Sequence, residues 1–174
     1  TYIYLKDFGI DKNKKKDCIP IVNNALESID FKTPTVIVFP EGDYHFYPEQ
    51  TYRRNYFESN TTDENPRKCA FLFEGIQNLV IEGNNSTLIF HEQMQPFTFD
   101  SCKNVTLKNI NIDWDHPLIA QGEVIKTSDT FIDLYINSKE SPFQIEEGKL
   151  FFNGGENKKN QWKGTMEFEK DGRF

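Results

Sequence analysis

Cysteine is scarce in this 174-residue chain: Cys18, Cys69 and Cys102 are the only three. No pair has Cys-x-x-Cys spacing, which argues against a zinc site, and an odd count argues against a disulfide framework. Cys69 and Cys102 lie beside apolar residues and read as buried free thiols. Long apolar runs are missing as well. No stretch approaches the roughly 20 apolar residues needed to cross a bilayer, and the opening Thr1-Tyr2-Ile3-Tyr4-Leu5 lacks signal-peptide character. Positive charge is in deficit. Lys and Arg total 20 against 27 Asp and Glu, a formal net charge of −7, so neither nucleic acid nor an anionic membrane is an expected partner. The one dense basic run, Lys12 to Lys16, is interrupted by Asn13 and followed by Asp17, and reads as a solvated loop. No metal constellation, phosphate loop or Ser/His/Asp order stands out, so no metal and no cofactor are expected.

Aromatic residues are plentiful by contrast. Sixteen Phe and seven Tyr predict a core filled largely by rings. The length suits one domain, or one domain and part of another. Helical periodicity occurs once: Ile19, Val22, Ala25, Leu26 and Ile29 make a single apolar stripe. Asp17 is placed to cap this helix and Pro20 to sit in its first turn, with the end before Pro34. Nearly everything else reads as strand. Thr35-Val36-Ile37-Val38-Phe39 is a buried strand stopped by Pro40, Glu41-Gly42-Asp43 a turn, and residues 48–68 a long polar loop.

An internal repeat is the strongest organising signal. Phe73-Glu74-Gly75-Ile76-Gln77-Asn78-Leu79-Val80-Ile81-Glu82 matches Phe99-Asp100-Ser101-Cys102-Lys103-Asn104-Val105-Thr106-Leu107-Lys108 at an offset of 26. Second strands follow at Thr87–Phe90 and Ile110–Asp113. Short strands at such a period predict a stacked parallel β-helix, with Asn78 and Asn104 hydrogen-bonded between layers and the helix as its cap. A β-sandwich with a chance repeat is the alternative. From Gly122 the pattern changes to hairpins: Gly122–Lys126 and Phe131–Ile136 flank Ser128-Asp129, Lys149–Phe152 precedes Asn153-Gly154-Gly155, and Thr165–Glu169 precedes Asp171-Gly172. The expected organisation is therefore residues 1–120 as cap and first layers, and 121–174 as the start of an antiparallel, truncated module.

Aligning the second strands, with a shorter turn in the second, sets His91-Glu92 beside Trp114-Asp115 and Gln93 beside His116. Carboxylates accept hydrogen bonds from sugar hydroxyls, and an aromatic ring packs on a sugar's C–H face. Glycoside hydrolysis itself needs two carboxyl groups, ~6.5–9.5 Å apart in an inverting enzyme. Asp113, Trp114, Asp115, His116, His91 and Glu92 are thus the candidate sugar-binding residues. Plainer roles stay open: Asp113 bonding backbone at a strand end, Trp114 in the core, Asp115-His116-Pro117 as a turn.

Two stretches carry a family resemblance. Lys6-Asp7-Phe8-Gly9-Ile10-Asp11, the helix, and Val38-Phe39-Pro40-Glu41-Gly42-Asp43-Tyr44 resemble the opening of pectate-lyase-like right-handed parallel β-helix proteins. Tyr56–Asn60, Asn65–Lys68, Phe90-His91, Pro96-Phe97, Ile112-Asp113 and Pro117 resemble the bacterial inverting α-1,3-galactosidases. Thr61 stands where that family often has His, and Glu92 where it often has Gly. The resemblance implies an all-β fold, a right-handed parallel β-helix with an N-terminal capping helix and an antiparallel β-barrel-like insertion. It also implies a glycoside hydrolase that removes terminal α-galactose from a glycan by inversion, in a secreted or periplasmic protein. The family's catalytic aspartates match no position here, so the chain alone is expected to be inactive and its catalytic residues unknown. A polysaccharide lyase or epimerase and a non-catalytic glycan-binding protein are the alternatives. An open solenoid end further predicts a homodimer.

Overall fold

Among the described residues the single α-helix begins where the basic run stops. Helix α1 (Ile19–Glu27) buries Ile19, Val22, Ala25 and Leu26, the stripe read from the sequence. Cys18 occupies the cap position, and the Asp17 carboxylate acts one residue earlier. Its Oδ1 accepts from the N–H groups of Ile19 (3.0 Å) and Tyr47 (3.1 Å), tying the start of the helix to the end of a strand. Pro20 sits in the first turn, where a missing N–H costs nothing. Ser28 Oγ donates to the Ala25 carbonyl at 2.6 Å and closes the helix, which ends before Pro34 as expected.

The computed structural model describes residues 1–12, 15–57, 66–153 and 159–169, divided into the units Thr1–Asp115 and His116–Phe174. In chain order the first unit holds β1 (Tyr2–Tyr4), β2 (Thr35–Val38), β3 (Asp43–Phe46), β4 (Tyr52–Arg54), β5 (Arg67–Glu74), β6 (Gln77–Phe90), β7 (Gln95–Asp100) and β8 (Lys103–Trp114). Strands β1, β2, β6, β3 and β8 make one sheet in which every described pair is parallel. Strands β4, β5 and β7 make a mixed sheet, β4 antiparallel and β7 parallel to β5. The stretch expected as one loop, 48–68, therefore contains β4 and the start of β5; its residues 58–65 lie outside the described residues.

The repeat reappears as register. Leu79 pairs with Val105 and Phe73 with Phe99, both offset by 26. The Asn pair forms the expected bond, Asn104 Nδ2 donating to Asn78 Oδ1 at 2.9 Å, with both backbones at positive φ. The two strands expected in the first repeat are one strand, β6, bent at Asn84 and Asn85 (φ 49° and 62°). In β8 a single Asn109 (φ 54°) makes the bend. Beyond it the offset drops to 24: Ser86 meets Ile110 and Phe90 meets Trp114. Gly83 is required there, since a Cβ would stand 2.3 Å from the Asn109 carbonyl oxygen. Rings fill the interior as expected. Phe39, Tyr44, Phe46, Phe71, Phe73 and Phe90 are almost wholly buried, and rings stack along the register, Phe71 on Phe97 (4.6 Å) and Phe73 on Phe99 (5.4 Å).

In the second unit, β9 (Glu123–Thr127) and β10 (Ile132–Tyr135) form the hairpin expected around Ser128, whose Oγ accepts from the N–H groups of Thr130 and Phe131, both at 3.2 Å. Strands β11 (Phe143–Glu146), β12 (Lys149–Asn153) and β13 (Lys159–Gln161) form a separate antiparallel sheet. The turn expected at 154–155 lies outside the described residues, and Thr165–Glu169, expected as strand, is irregular.

The expected fold class does not hold. Among the described residues the chain is all-β with one short α-helix, but its strands lie in four sheets, one parallel, one mixed and two antiparallel, and they do not describe a right-handed parallel β-helix. Nor does any ladder join the two sheets of the second unit into a barrel among the described residues. The physical reason is that a twice-repeated period dictates which residues face each other on neighbouring parallel strands; closure of those strands into a solenoid is a separate matter. No helix among the described residues is long and apolar enough to cross a membrane.

Candidate functional site

Strands β3, β6 and β8 finish side by side. Their last paired row is Phe46, Phe90 and Trp114. These side chains point inward: Phe46 and Phe90 are fully buried, their rings 5.1 Å apart, and the Trp114 ring lies 5.8 Å from Phe90. Side chains alternate along a strand, so the flanking residues face outward. One outer row is His45, Ile89 and Asp113. The next is Tyr47, His91 and Asp115, held by two backbone bonds: the His91 N–H donates to the Phe46 carbonyl and the Asp115 N–H to the Phe90 carbonyl, both at 3.0 Å.

Contacts on this face are close. His45 Nδ1 and His91 Nε2 are 2.8 Å apart. His91 Nδ1 faces Asp115 Oδ2 at 3.5 Å. The Tyr47 ring lies flat on His91, centroids 3.9 Å apart and planes 11° apart. Burial pulls the His45 imidazole below its ordinary pKa, Lys15 acts in the same direction, and Asp115 and Asp43 oppose them. The balance favours the neutral form of His45.

The remaining candidates have other duties. The Glu92 carboxylate pairs with Lys68 (3.3 Å), and its backbone carbonyl accepts from the Trp114 indole N–H (3.1 Å) at a positive φ of 58°. Asp113 is exposed, and its Oδ1 accepts from the Trp114 backbone N–H at 2.8 Å. Trp114 is thus partly buried against the core with its indole N–H satisfied, and Tyr47 is the ring on the outer face. His116 is exposed and belongs to the second unit. The expected alignment of His91 with Trp114 is one residue off: His91 stands beside Asp115. A slip of one residue exchanges the faces of a strand, so it had put Trp114 among the outward groups. Sequence reasoning missed His45, Tyr47 and Lys68. One signal was available, because His45-Phe46-Tyr47 and Ile89-Phe90-His91 each place a central Phe between outward positions.

The outer face can donate and accept hydrogen bonds through an imidazole beside a carboxylate, with no net cation. Comparison with known proteins gives this face a context. Over 169 residues the chain is 37 % identical to "Alpha-1,3-galactosidase B" of Bacteroides thetaiotaomicron, covering 97 % of this chain and 27 % of the relative. It resembles bacterial α-1,3-galactosidases. A second protein of that name, from Parabacteroides distasonis, is 38 % identical over 126 residues, 70 % of this chain and 21 % of the relative. "Alpha-1,3-galactosidase A" of Shewanella woodyi is 31 % identical over 170 residues, 97 % of this chain and 28 % of the relative. The chain thus spans about a quarter of the length of these relatives. Residues 120–174 match the family described as GLAA-B beta-barrel domain I. These findings support the galactosidase part of the expected resemblance; they carry nothing for the pectate-lyase-like part.

Proposed function

We propose that this chain is a segment of a glycoside hydrolase that removes terminal α-linked galactose from a glycan with inversion at the anomeric carbon. The observation that carries this reading is the likeness along 97 % of the chain to α-1,3-galactosidases. The chemistry of the outer face supports it. A neutral sugar presents hydroxyls that both donate and accept. Asp115 supplies acceptor oxygens, the His91 imidazole supplies either role, and Asp113 adds a second carboxylate on the same side of β8. Glu92 and Trp114 serve by holding the ends of β6 and β8 together. The role of this face is to bind sugar; the acid and base of an inverting reaction, about 6.5–9.5 Å apart, belong to the rest of the protein. The segment alone is inactive, and the whole protein is secreted or periplasmic.

Expression of the complete gene that encodes this chain tests the reading. Its product is given an α-1,3-linked galactoside and the released sugar is followed by proton NMR. β-Galactose is the expected first product. Initial α-galactose would overturn inversion, and no release from any α-galactoside would overturn the hydrolase reading. In the same protein Asp115→Ala should lower kcat/KM about tenfold, the loss of one hydrogen bond to a charged group. Wild-type kinetics would remove Asp115 from the site.

A further inference from the structure

We infer that His45 is a positioning residue: it shares one proton with His91 and so holds His91 with its Nδ1–H toward Asp115. The purpose of this arrangement rests on the sugar-binding reading of the face, whereas the proton count does not. Two ring nitrogens 2.8 Å apart must have one hydrogen between them, because two bare nitrogens repel and so do two N–H groups. The Asp115 carboxylate only accepts, so the His91 nitrogen facing it carries a hydrogen. A neutral His91 then has a bare Nε2. The shared proton consequently sits on His45 Nδ1, and both rings take the Nδ1–H form with Nε2 bare.

This arrangement titrates as one unit. A proton taken up at His45 Nε2 sends the Nδ1 proton across to His91 Nε2. The pair gains one proton in total, and the positive charge appears on His91 opposite Asp115. Among the described residues, the charged groups acting on His45 are Lys15 before α1, Asp43 on β3 and Asp115 after β8, the last also facing His91. Asp17 faces the backbone of Tyr47, and Glu92 is matched by Lys68. Burial and Lys15 disfavour charge on His45, which leaves His91 as the ring that carries it. Tyr47 fixes the plane of that ring by lying flat against it, while its hydroxyl donates to the Lys15 carbonyl at 3.5 Å.

The test uses the intact protein that carries this chain, labelled with nitrogen-15 in its histidine rings. Ring signals are assigned by their loss in His45 and His91 variants. At neutral pH both rings should show a protonated Nδ1 and a bare Nε2, and on acidification both should shift along one shared curve. A protonated Nε2 on either ring at neutral pH, or two independent curves, would overturn the inference. These spectra need only one well-folded variant for each assignment. His45→Gln keeps an amide donor toward His91 and should stay within about twofold of wild-type KM; His45→Phe removes the donor and should raise KM about fivefold with the pH profile displaced, the size of one neutral hydrogen bond. Equal kinetics for the Gln and Phe variants would end the positioning role. A protein that releases no galactose would count against the proposed function alone, since the nitrogen spectra decide the proton arrangement without turnover.

Discussion

In the unit Thr1–Asp115, strands far apart in sequence lie side by side: Tyr2 meets Val36, Thr35 meets Leu79, and Leu79 meets Val105. In the unit His116–Phe174 every described pairing joins strands consecutive along the chain, as Thr127 with Ile132 and Phe151 with Gln161, within two separate sheets. The consequence appears in burial. All large apolar side chains that are buried among the described residues belong to the first unit; in the second, only Ser141 is buried, and Ile125, Tyr135 and Ile145 are more than half exposed. Long connections let parallel strands set like residue on like residue, so rings accumulate inside. Hairpins of four or five residues have two faces and little chain with which to cover them. The first unit is therefore stabilised from its interior, and the second mainly by local backbone pairing.

The largest effect expected from this difference is in ring deletion. Phe90, stacked on Phe46 and against Trp114, should cost about 3–5 kcal/mol when changed to Ala. Phe131, 45 % exposed beneath the Lys126 ammonium, should cost under about 1 kcal/mol for the same change. Urea unfolding followed by tryptophan fluorescence measures both, since Trp114 reports the first unit and Trp162 the second. Equal losses would break the comparison.

Glycine sharpens it. At Gly83 an added Cβ meets the Asn109 carbonyl oxygen at 2.3 Å and Ile110 Cγ1 at 2.2 Å, so Gly83→Ala should cost about 3 kcal/mol through forced backbone movement. At Gly148 the space is open and only the φ of 73° resists, so Gly148→Ala should cost about 1 kcal/mol. Thermal unfolding of the two variants separates a packed site from a merely strained turn.

The smallest expected effect is electrostatic. Glu82 is held at about 2, below its ordinary 4.5, by the Asn84 backbone N–H, then by the Asn109 amide and the Lys108 ammonium. A carboxyl depressed on folding contributes stability that is fully present above its unfolded value and is lost as pH falls through its folded value. Glu82 should thus weaken the first unit progressively from pH 4.5 toward 2, and Glu82→Gln should flatten that limb. In the second unit the Glu146–Lys159 pair is about half exposed on both sides, and Glu146→Gln should change stability at pH 7 by under about 0.5 kcal/mol. An unchanged acid limb in Glu82→Gln would mean that those bonds do not persist in solution.

Local periodicity made a good part of this legible in advance. The stripe Ile19, Val22, Ala25 and Leu26 fixes which side of α1 is buried. The 26-residue offset pairs Leu79 with Val105 and Asn78 with Asn104, and Ser128-Asp129 marks a hairpin. His91, Glu92, Trp114 and Asp115 were legible as one cluster at the ends of neighbouring strands, though with His91 set beside Trp114 rather than Asp115. Other features waited for the folded chain. Two backbone bends of unequal length, Asn84-Asn85 against Asn109, shift the pairing from 26 to 24, and residue types alone do not state how many residues a bend consumes. That shift turns Trp114 into the core and brings Asp115 to His91. The partners His45 and Tyr47 come from a strand more than forty residues earlier, joined to the site only when β3 lies against β6. Side-chain alternation and helical stripes are properties of short segments and are written in the sequence. Register across a bend, sheet closure and the meeting of distant strands depend on the whole chain packing at once, and only the tertiary structure decided them.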